Sequence, residues 1–556
     1  MATLNELRNL LFQSTNGFSN INSFWNNHIK IDPFLKQAYI TIDLVLGDGS
    51  RHSFATDLVT VINKDGYIIA YEPALQEEPL ISSNYQMGSG QPSQRNFTVT
   101  IDGRKINALN ILKSGNFISG IAEVCLQVQN AEYENRLILI RGETSSSINF
   151  GIKEEMVELQ ISDIDLSKER IIPEFTITQD DFPALPEGFK GQRYPIIKDN
   201  CNCGVPCIRT SEFEYGTTFI VGFGHNIGIR EVLINGIPTP AGDMQRGWSV
   251  QQNVSATGVP YTGIEFVFPT ETTETIFGNY QSPGVPWSSS DTVYARTYSL
   301  NGNDRSLLQI CRELIIENTN LGLDIIDTDL FAKSQSKTPY LKAEFLINAS
   351  GKNDSAKAIS YIQSTVCDSF PMLSLVYSSN GIGAVITDRR LFRLSQHFIV
   401  GNSEILDRST GITEKSKSEL YNSFTLRYSY DSANDSFRKS IQRNASNSLL
   451  CEISQNRIGK KDYEIIDSVI IQDDSTAEYV IEWLTDHYSL PSYYIEYECI
   501  PSIIFKLKIG DNVSITDDEL EFVEENATIE KLEYSKGKVT LGLRFWVLYK
   551  SLSKSS

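Results

Sequence analysis

The sequence predicts a mainly β, multi-domain chain with an α+β insert. Two β-barrel candidates lie near its ends, the first reading equally as a sandwich, with a small α/β domain and a β-rich middle domain between them. Three observations lead there. Apolar and polar residues alternate at period two in both terminal thirds, the period changes to that of a helix only after residue 303, and 556 residues exceed what one core can organise. The expected divisions are 1–172 for the N-terminal β unit, 173–207 for an extended arm, 208–299 for the middle domain, 300–395 for the α/β domain, and 396–556 for a C-terminal domain with one helix and a closing barrel.

After a short amphipathic segment carrying Leu4, Leu7, Leu10, Leu11 and Phe12, the first β unit follows. AYITIDLVLGDG ends a strand at a Gly-Asp-Gly turn, RNFTVTIDGRK repeats the pattern, and RLILIRGE and MVELQISDID continue it. The Pro- and acid-rich passage from 171 to 195 has no periodicity, and reads as a linker or an arm laid across a neighbour. In the middle domain, TTFIV leads into Gly222, Gly224 and Gly228. A dinucleotide loop needs G-x-G-x-x-G opening straight into a helix, and here the spacing is one residue too long. Val232 and Ile234 share a face at period two and Asn235-Gly236 follows, so the stretch predicts a hairpin with a tight turn and no bound phosphate.

Leu307, Ile310, Cys311 and Leu314 then form one helical face, with Asp304 as its expected cap. A second helix aligns Ile359, Ile362 and Val366 behind Asp354 or Ser355, and MLSLVYSSNGIGAVITD reads as a hairpin. The third helix opens at a capping box, Ser475 to Glu478, and aligns Ala477, Val480, Ile481 and Leu484. The tail is read as strands throughout: YYIEYECIP, then IIFKLKIGDNVSIT with Phe505, Leu507 and Ile509 opposite Lys506 and Lys508, then a hairpin across Lys536-Gly537.

Composition narrows the function. Lys plus Arg minus Asp plus Glu is 49 − 69 = −20, which disfavours gripping nucleic acid or an anionic membrane. No apolar run approaches the roughly 18 residues of a membrane span and the start lacks a signal-peptide pattern, so the expectation is cytoplasmic synthesis without stable membrane insertion. The 5 histidines (28, 52, 225, 397, 487) stand apart, which removes helical zinc motifs, and neither a G-x-S-x-G elbow nor a Walker loop is present. His225 is read as a loop histidine, and the pairs Asp163/Asp165 and Glu77/Glu78 as surface carboxylates. No catalytic or cofactor-binding residue is therefore assigned.

One constellation has metal character: Cys201, Cys203 and Cys207. Three thiols could hold zinc or an iron–sulfur cluster, but the sequence places no fourth donor nearby and the spacing is not that of a zinc knuckle. Free thiols are expected, with no cofactor, the metal being the alternative.

Several segments, taken in order, resemble the hub or tail-tip (baseplate hub) proteins of long-tailed bacteriophages. They are Gly191, Tyr194-Pro195-Ile196-Ile197, Val205-Pro206, Gly224-His225, the run from Ile229 through Val232 to Asn235-Gly236, NSFTLRYSYD (422–431), and Leu507 to Val513 around Gly510-Asp511. The likeness spans roughly residues 190 to 548 and departs at Lys198-Asp199 and the cysteine cluster. It implies a structural, non-catalytic virion protein assembled in the host cytoplasm. Such a homotrimer would set two tube-like barrels per subunit in a pseudo-sixfold ring below the tail tube and pass DNA without binding it. The implied partners are distal tail and tail-tube proteins, the tape measure protein, and a separate spike or central fibre. The competing readings are a cell-wall glycan hydrolase and a host-surface adhesin.

Overall fold

The protein is represented by a computed structural model. It describes residues 24–546 except 26, 31, 37, 64, 85–95, 106–119, 152–155, 164–169, 212–217, 240–247, 267–291, 301–304, 319–325, 348–355, 379, 391–397, 409–410, 415–418 and 536. The amphipathic segment at 4–12 and the expected caps Asp304, Asp354 and Ser355 lie outside the described residues.

The architecture is mainly β. Among the described residues the N-terminal sheet has eight strands in the order Val59–Ile62, Ile68–Pro73, Arg51–Ala55, Ala38–Val45, Ile121–Val128, Leu137–Gly151, Met156–Ser162, Asn96–Asp102. Alternation along Ala38–Val45 puts Ile40, Ile42 and Leu44 into the core, yet Thr41 and Asp43 on the other face are also buried. The strands Val59–Ile62 and Ile68–Pro73 explain this, because they bring Val59, Val61 and Tyr71 into a second small core with Tyr133. Asp43 accepts from Ser53 Oγ at 2.5 Å, Tyr71 Oη at 3.1 Å and Tyr133 Oη at 3.0 Å. Glu123 is paired in the same way with Arg136 (3.0 Å) and Arg141 (2.8 Å). Buried carboxylates are tolerable only with such partners.

The C-terminal sheet runs Phe398–Val400, Asn512–Asp517, Phe522–Ser535, Lys538–Trp546, Ser492–Cys499, Ile405–Arg408. Its outermost strands are successive in the chain, separated only by residues 401–404. Five Cα steps reach at most about 18 Å, whereas a flat sheet would hold its first and sixth strands about 24 Å apart. The sheet is therefore curled until its edges approach. The N-terminal sheet curls likewise: residues 74–76 bond to one edge through Gln76 N to Thr100 O (3.1 Å) and Asp102 N to Ala74 O (2.8 Å), and to the far side through Leu75 N to Ala55 O (3.0 Å). Among the described residues neither strand ladder closes on itself, so the two expected barrels are seen as curled, open sheets.

These two units meet. Ile81–Asn84 pairs antiparallel with the 531–534 stretch of Phe522–Ser535, and one core runs from Ile42, Leu126 and Ile161 to Tyr497, Val513, Ile529 and Leu541. Between them in sequence, two four-stranded sheets face each other around Val205, Val221, Val232, Ile264 and Ala295. The passage after residue 172 lies on this middle unit of its own chain, burying Ile177, Leu185 and Tyr194 against Ile208, Ile220 and Tyr261.

The helices Leu307–Asn318, Thr328–Lys337 and Asp474–Tyr488 share a third core with the hairpin of Leu373–Ser378 and Gly381–Ile386. Ser306 and Gln309 cap the first helix reciprocally, Ser306 N donating to Gln309 Oε1 at 2.8 Å. The helix Thr328–Lys337 has no clear sequence signal and starts at Asp327, whose carboxylate accepts from Leu330 N at 2.9 Å. The helix expected over Ile359, Ile362 and Val366 is present as Ala358–Tyr361 continued by a π-helical turn, Ile362–Cys367, with all three residues buried. In Asp474–Tyr488, Ala477, Val480, Ile481 and Leu484 are all buried as expected, but the cap is Asp473, which accepts from Thr476 N, rather than Ser475. Three expectations are corrected. Residues 396–556 carry a second helix, Leu449–Ile458, capped by Ser448, beside the one expected. Residues 396–556 contribute to two cores rather than one, since 424–428 and 470–484 belong with the α/β unit. The alternation across 505–509 is not a strand either, because Pro501–Phe505 is a 3-10 turn and 508–511 a β-turn.

Candidate functional site

The glycine-rich stretch folds as strand, tight connection and hairpin. Ile227–Ile234 pairs with Ile237–Thr239, and Asn235 (φ 50°) and Gly236 (φ 79°) form the turn with positive φ at both centres. The glycines answer packing needs. A Cβ on Gly222 would come 2.7 Å from Ile227 Cδ1, and one on Gly228 would collide with Cζ of the Tyr298 ring. The amides that a phosphate loop would expose are used internally, Phe223 N donating to Pro195 O (2.8 Å) and Gly224 N to Pro260 O (2.9 Å). His225 Nε2 lies 2.9 Å from the Asn253 carbonyl, which makes it a donor in a surface loop. Of the carboxylate pairs, Asp163 is buried, Asp165 lies outside the described residues, and Glu77 is exposed.

A concentrated group of reactive side chains forms where the middle unit meets the α/β unit. Cys201 and Cys203 stand two apart in Cys201–Pro206, hence on one face, where a regular strand would separate their Cα atoms by almost 7 Å. The strand is irregular here: Cys201 pairs with Thr297 but Val205 with Ala295, so four steps oppose two, and Gly204 takes φ +89°. The bulge gathers the sulfurs to 3.2 Å.

Glu344 arrives from the other unit. Phe345–Ile347 pairs with Ile196–Lys198, Lys198 opposite Phe345, and this register delivers the preceding residue to the bulge. Its Oε2 accepts from Asn202 N at 2.5 Å and Cys203 N at 3.3 Å, while Oε1 accepts from Asn202 Nδ2. Arg230 Nη1 donates to Asn202 Oδ1 at 2.9 Å and holds that amide in place. Cys201, Cys203 and Glu344 are 0%, 4% and 9% exposed, and their donor atoms lie within 4.8 Å of one another.

Burial pushes the Glu344 carboxyl up to about 7, against the opposing N–H bonds of Asn202 and Cys203 and the charge of Arg230. The Cys201 thiol is pushed well above its usual range by its bond to Cys203 and by burial. Cys207 is elsewhere, its Sγ against the Val205 carbonyl at 3.5 Å. Of the three cysteines singled out in the sequence, the structure brings two together and adds a carboxylate that sequence reading missed. The separation of 141 positions between Cys203 and Glu344 leaves no local signal for it.

No protein-family description and no curated protein sequence matches the chain. Solved structures do. The tail protein from Neisseria meningitidis MC58 is 10% identical, over 91% of this chain and 96% of that one, with a TM-score of 0.35. The 43 kDa tail protein of prophage MuSo2 from Shewanella oneidensis is 10% identical, over 91% and 97%, with a TM-score of 0.34. The prophage tail protein gp18 from Listeria monocytogenes EGD-e is 11% identical, over 48% and 76%, with a TM-score of 0.26. The solved structures to which this chain is similar thus include phage tail proteins, the group its sequence motifs resemble.

Proposed function

We propose that the chain is a structural hub of a phage tail tip or baseplate, a homotrimer that adapts a sixfold tail tube to a threefold spike or central fibre. The observation that carries this reading is the pairing of two curled β units, drawn from opposite ends of one chain, through the Ile81–Asn84 ladder and a common core. Two such units in each of three subunits make a six-unit ring. The short segments that bring each sheet's edges together, 74–76 and 401–404, support reading both units as tube-like barrels. Large apolar side chains left in solvent on these units, Tyr67 (71% exposed), Ile68 (72%) and Val523 (76%), suit contacts with neighbouring copies or tail proteins.

In this role the chain performs no catalysis, and the net charge of −20 keeps transiting DNA from adhering to the wall. Distal tail and tail-tube proteins would bind above, and the tape measure protein would occupy the lumen before ejection. Light scattering on the purified full chain tests the proposal. A mass three times that of the chain, without lytic activity on cell walls, supports it, whereas a monomer that degrades cell-wall glycan overturns it.

A further inference from the structure

We infer that Cys201, Cys203 and Glu344 form a binding site for zinc, which clamps the middle β unit to the α/β unit. The inference stands independently of the role in a phage tail. Its basis is the convergence of three buried ionisable donors from two different cores, two thiols on the bulge and one carboxylate across the junction, all within 4.8 Å. Two thiol sulfurs and a carboxylate oxygen, all buried and within reach of one ion, are a donor set gathered before any metal arrives.

The donor set selects the metal. Two sulfurs and one carboxylate oxygen suit zinc, whereas calcium and magnesium demand oxygen throughout. Tetrahedral zinc with bonds of about 2.3 Å holds its two sulfurs about 3.8 Å apart. The observed 3.2 Å requires the thiols to part by roughly half an ångström, within reach of a small χ1 rotation. Glu344 is already oriented: three of its about four acceptor positions are taken by Asn202 and Cys203, leaving one for a metal. The chain from Arg230 to the Asn202 amide to the carboxylate is the kind of outer support that fixes a ligand's direction. Three protein donors leave the fourth position to a solvent molecule.

The consequence is mechanical. The junction also rests on the short Ile196–Lys198 ladder, the Glu344 bonds, the Lys198–Glu317 ion pair, the bond from Ser432 N to Cys203 O (2.7 Å) and side-chain packing. Zinc would make it resistant to shear between the two units.

The test uses the full chain, incubated with zinc chloride and freed of unbound metal. We expect one zinc per chain by elemental analysis, a thiolate-to-metal charge-transfer band when cobalt replaces it, and a melting temperature that falls on chelation. Cys201→Ser and Cys203→Ser should abolish binding, Glu344→Gln should weaken it at least about tenfold, and Cys207→Ser should leave it intact. If the serine variants do not fold, the cobalt spectrum and the chelation response of the wild type decide. Substoichiometric zinc, a cobalt spectrum without the thiolate band, or loss of metal in Cys207→Ser alone would overturn the inference.

Discussion

Gly510 lies in one of the sequence runs that carry the phage-tail resemblance, and its substitution by alanine has a cost that follows from geometry. Residues 508–511 form a β-turn closed by Asp511 N to Lys508 O at 3.1 Å, with Gly510 at the third position and φ +75°. That is the type II arrangement, in which a positive φ is required and a side chain is disfavoured. An alanine there costs about 1–2 kcal/mol for the left-handed backbone alone. Its Cβ would also collide with Val385 Cγ1 and stand 3.2 Å from Val385 Cβ, a buried side chain in the small core that joins the α/β unit to the C-terminal sheet. Overpacking of this kind adds about 1–3 kcal/mol. The turn cannot shift away freely, because Gly510 N donates to Ile529 O and Ile529 N to Asp511 O, both at 2.9 Å. The total is about 2–5 kcal/mol, or roughly 4–20 °C in the melting of a unit of this size followed by circular dichroism. Val385→Ala should remove the collision but not the backbone strain, so the double variant should lose less stability than the two single variants summed. A Gly510→Ala protein melting within about 1 °C of the wild type would refute the reasoning.

Other expectations follow from the same geometry. Gly228→Ala should destabilise by about 1–2 kcal/mol through contact with Tyr298, and Tyr298→Ala should relieve it. Calorimetric titration of wild type with nucleotides should give no heat of binding. Glu123→Ala removes the carboxylate that pairs with buried Arg136 and half-buried Arg141, and should cost about 3–5 kcal/mol by chemical denaturation, with Glu123→Gln costing less. His487 is buried on Trp483, donates from Nδ1 to its carbonyl at 2.9 Å, and has its pKa pushed down to about 3 by burial. Since the unfolded chain takes the proton near 6.5 and the folded chain does not, the neutral ring's contribution is complete above pH 6.5. It falls by up to about 1.4 kcal/mol per unit as pH drops towards 3. Melting curves of wild type should show this slope in excess of that of His487→Gln; equal slopes would contradict it.

The parts of the fold legible in the sequence are those whose signal is local. Asn235-Gly236 specifies its turn by backbone preference alone, and the face of Ala477, Val480, Ile481 and Leu484 follows from helical period. The helix Thr328–Lys337 was not legible because its ten residues bury only Leu330, Phe331 and Ser334, too few to set a period. The alternation of Phe505, Leu507 and Ile509 misled for a different reason. A 3-10 turn followed by a β-turn also places apolar side chains inward at every second position, as the burial of Leu507 and Ile509 shows. At the candidate site, Cys201, Cys203 and Cys207 were legible as one cluster of thiols, but the strand that carries the first two was not. Their closeness depends on a bulge, and Glu344 depends on strand pairing across the two units, both properties of tertiary structure. Cys207 has the same period-two parity but lies beyond the bulge and the end of the strand at Pro206, so spacing alone could not separate it from them.

If two β units per chain assemble into a ring around a DNA passage, cryo-electron microscopy of the purified full-chain assembly will show threefold symmetry, six β units around one lumen, and more Asp and Glu than Lys and Arg on its wall. A particle without threefold symmetry, or a lumen lined with basic side chains, would contradict it.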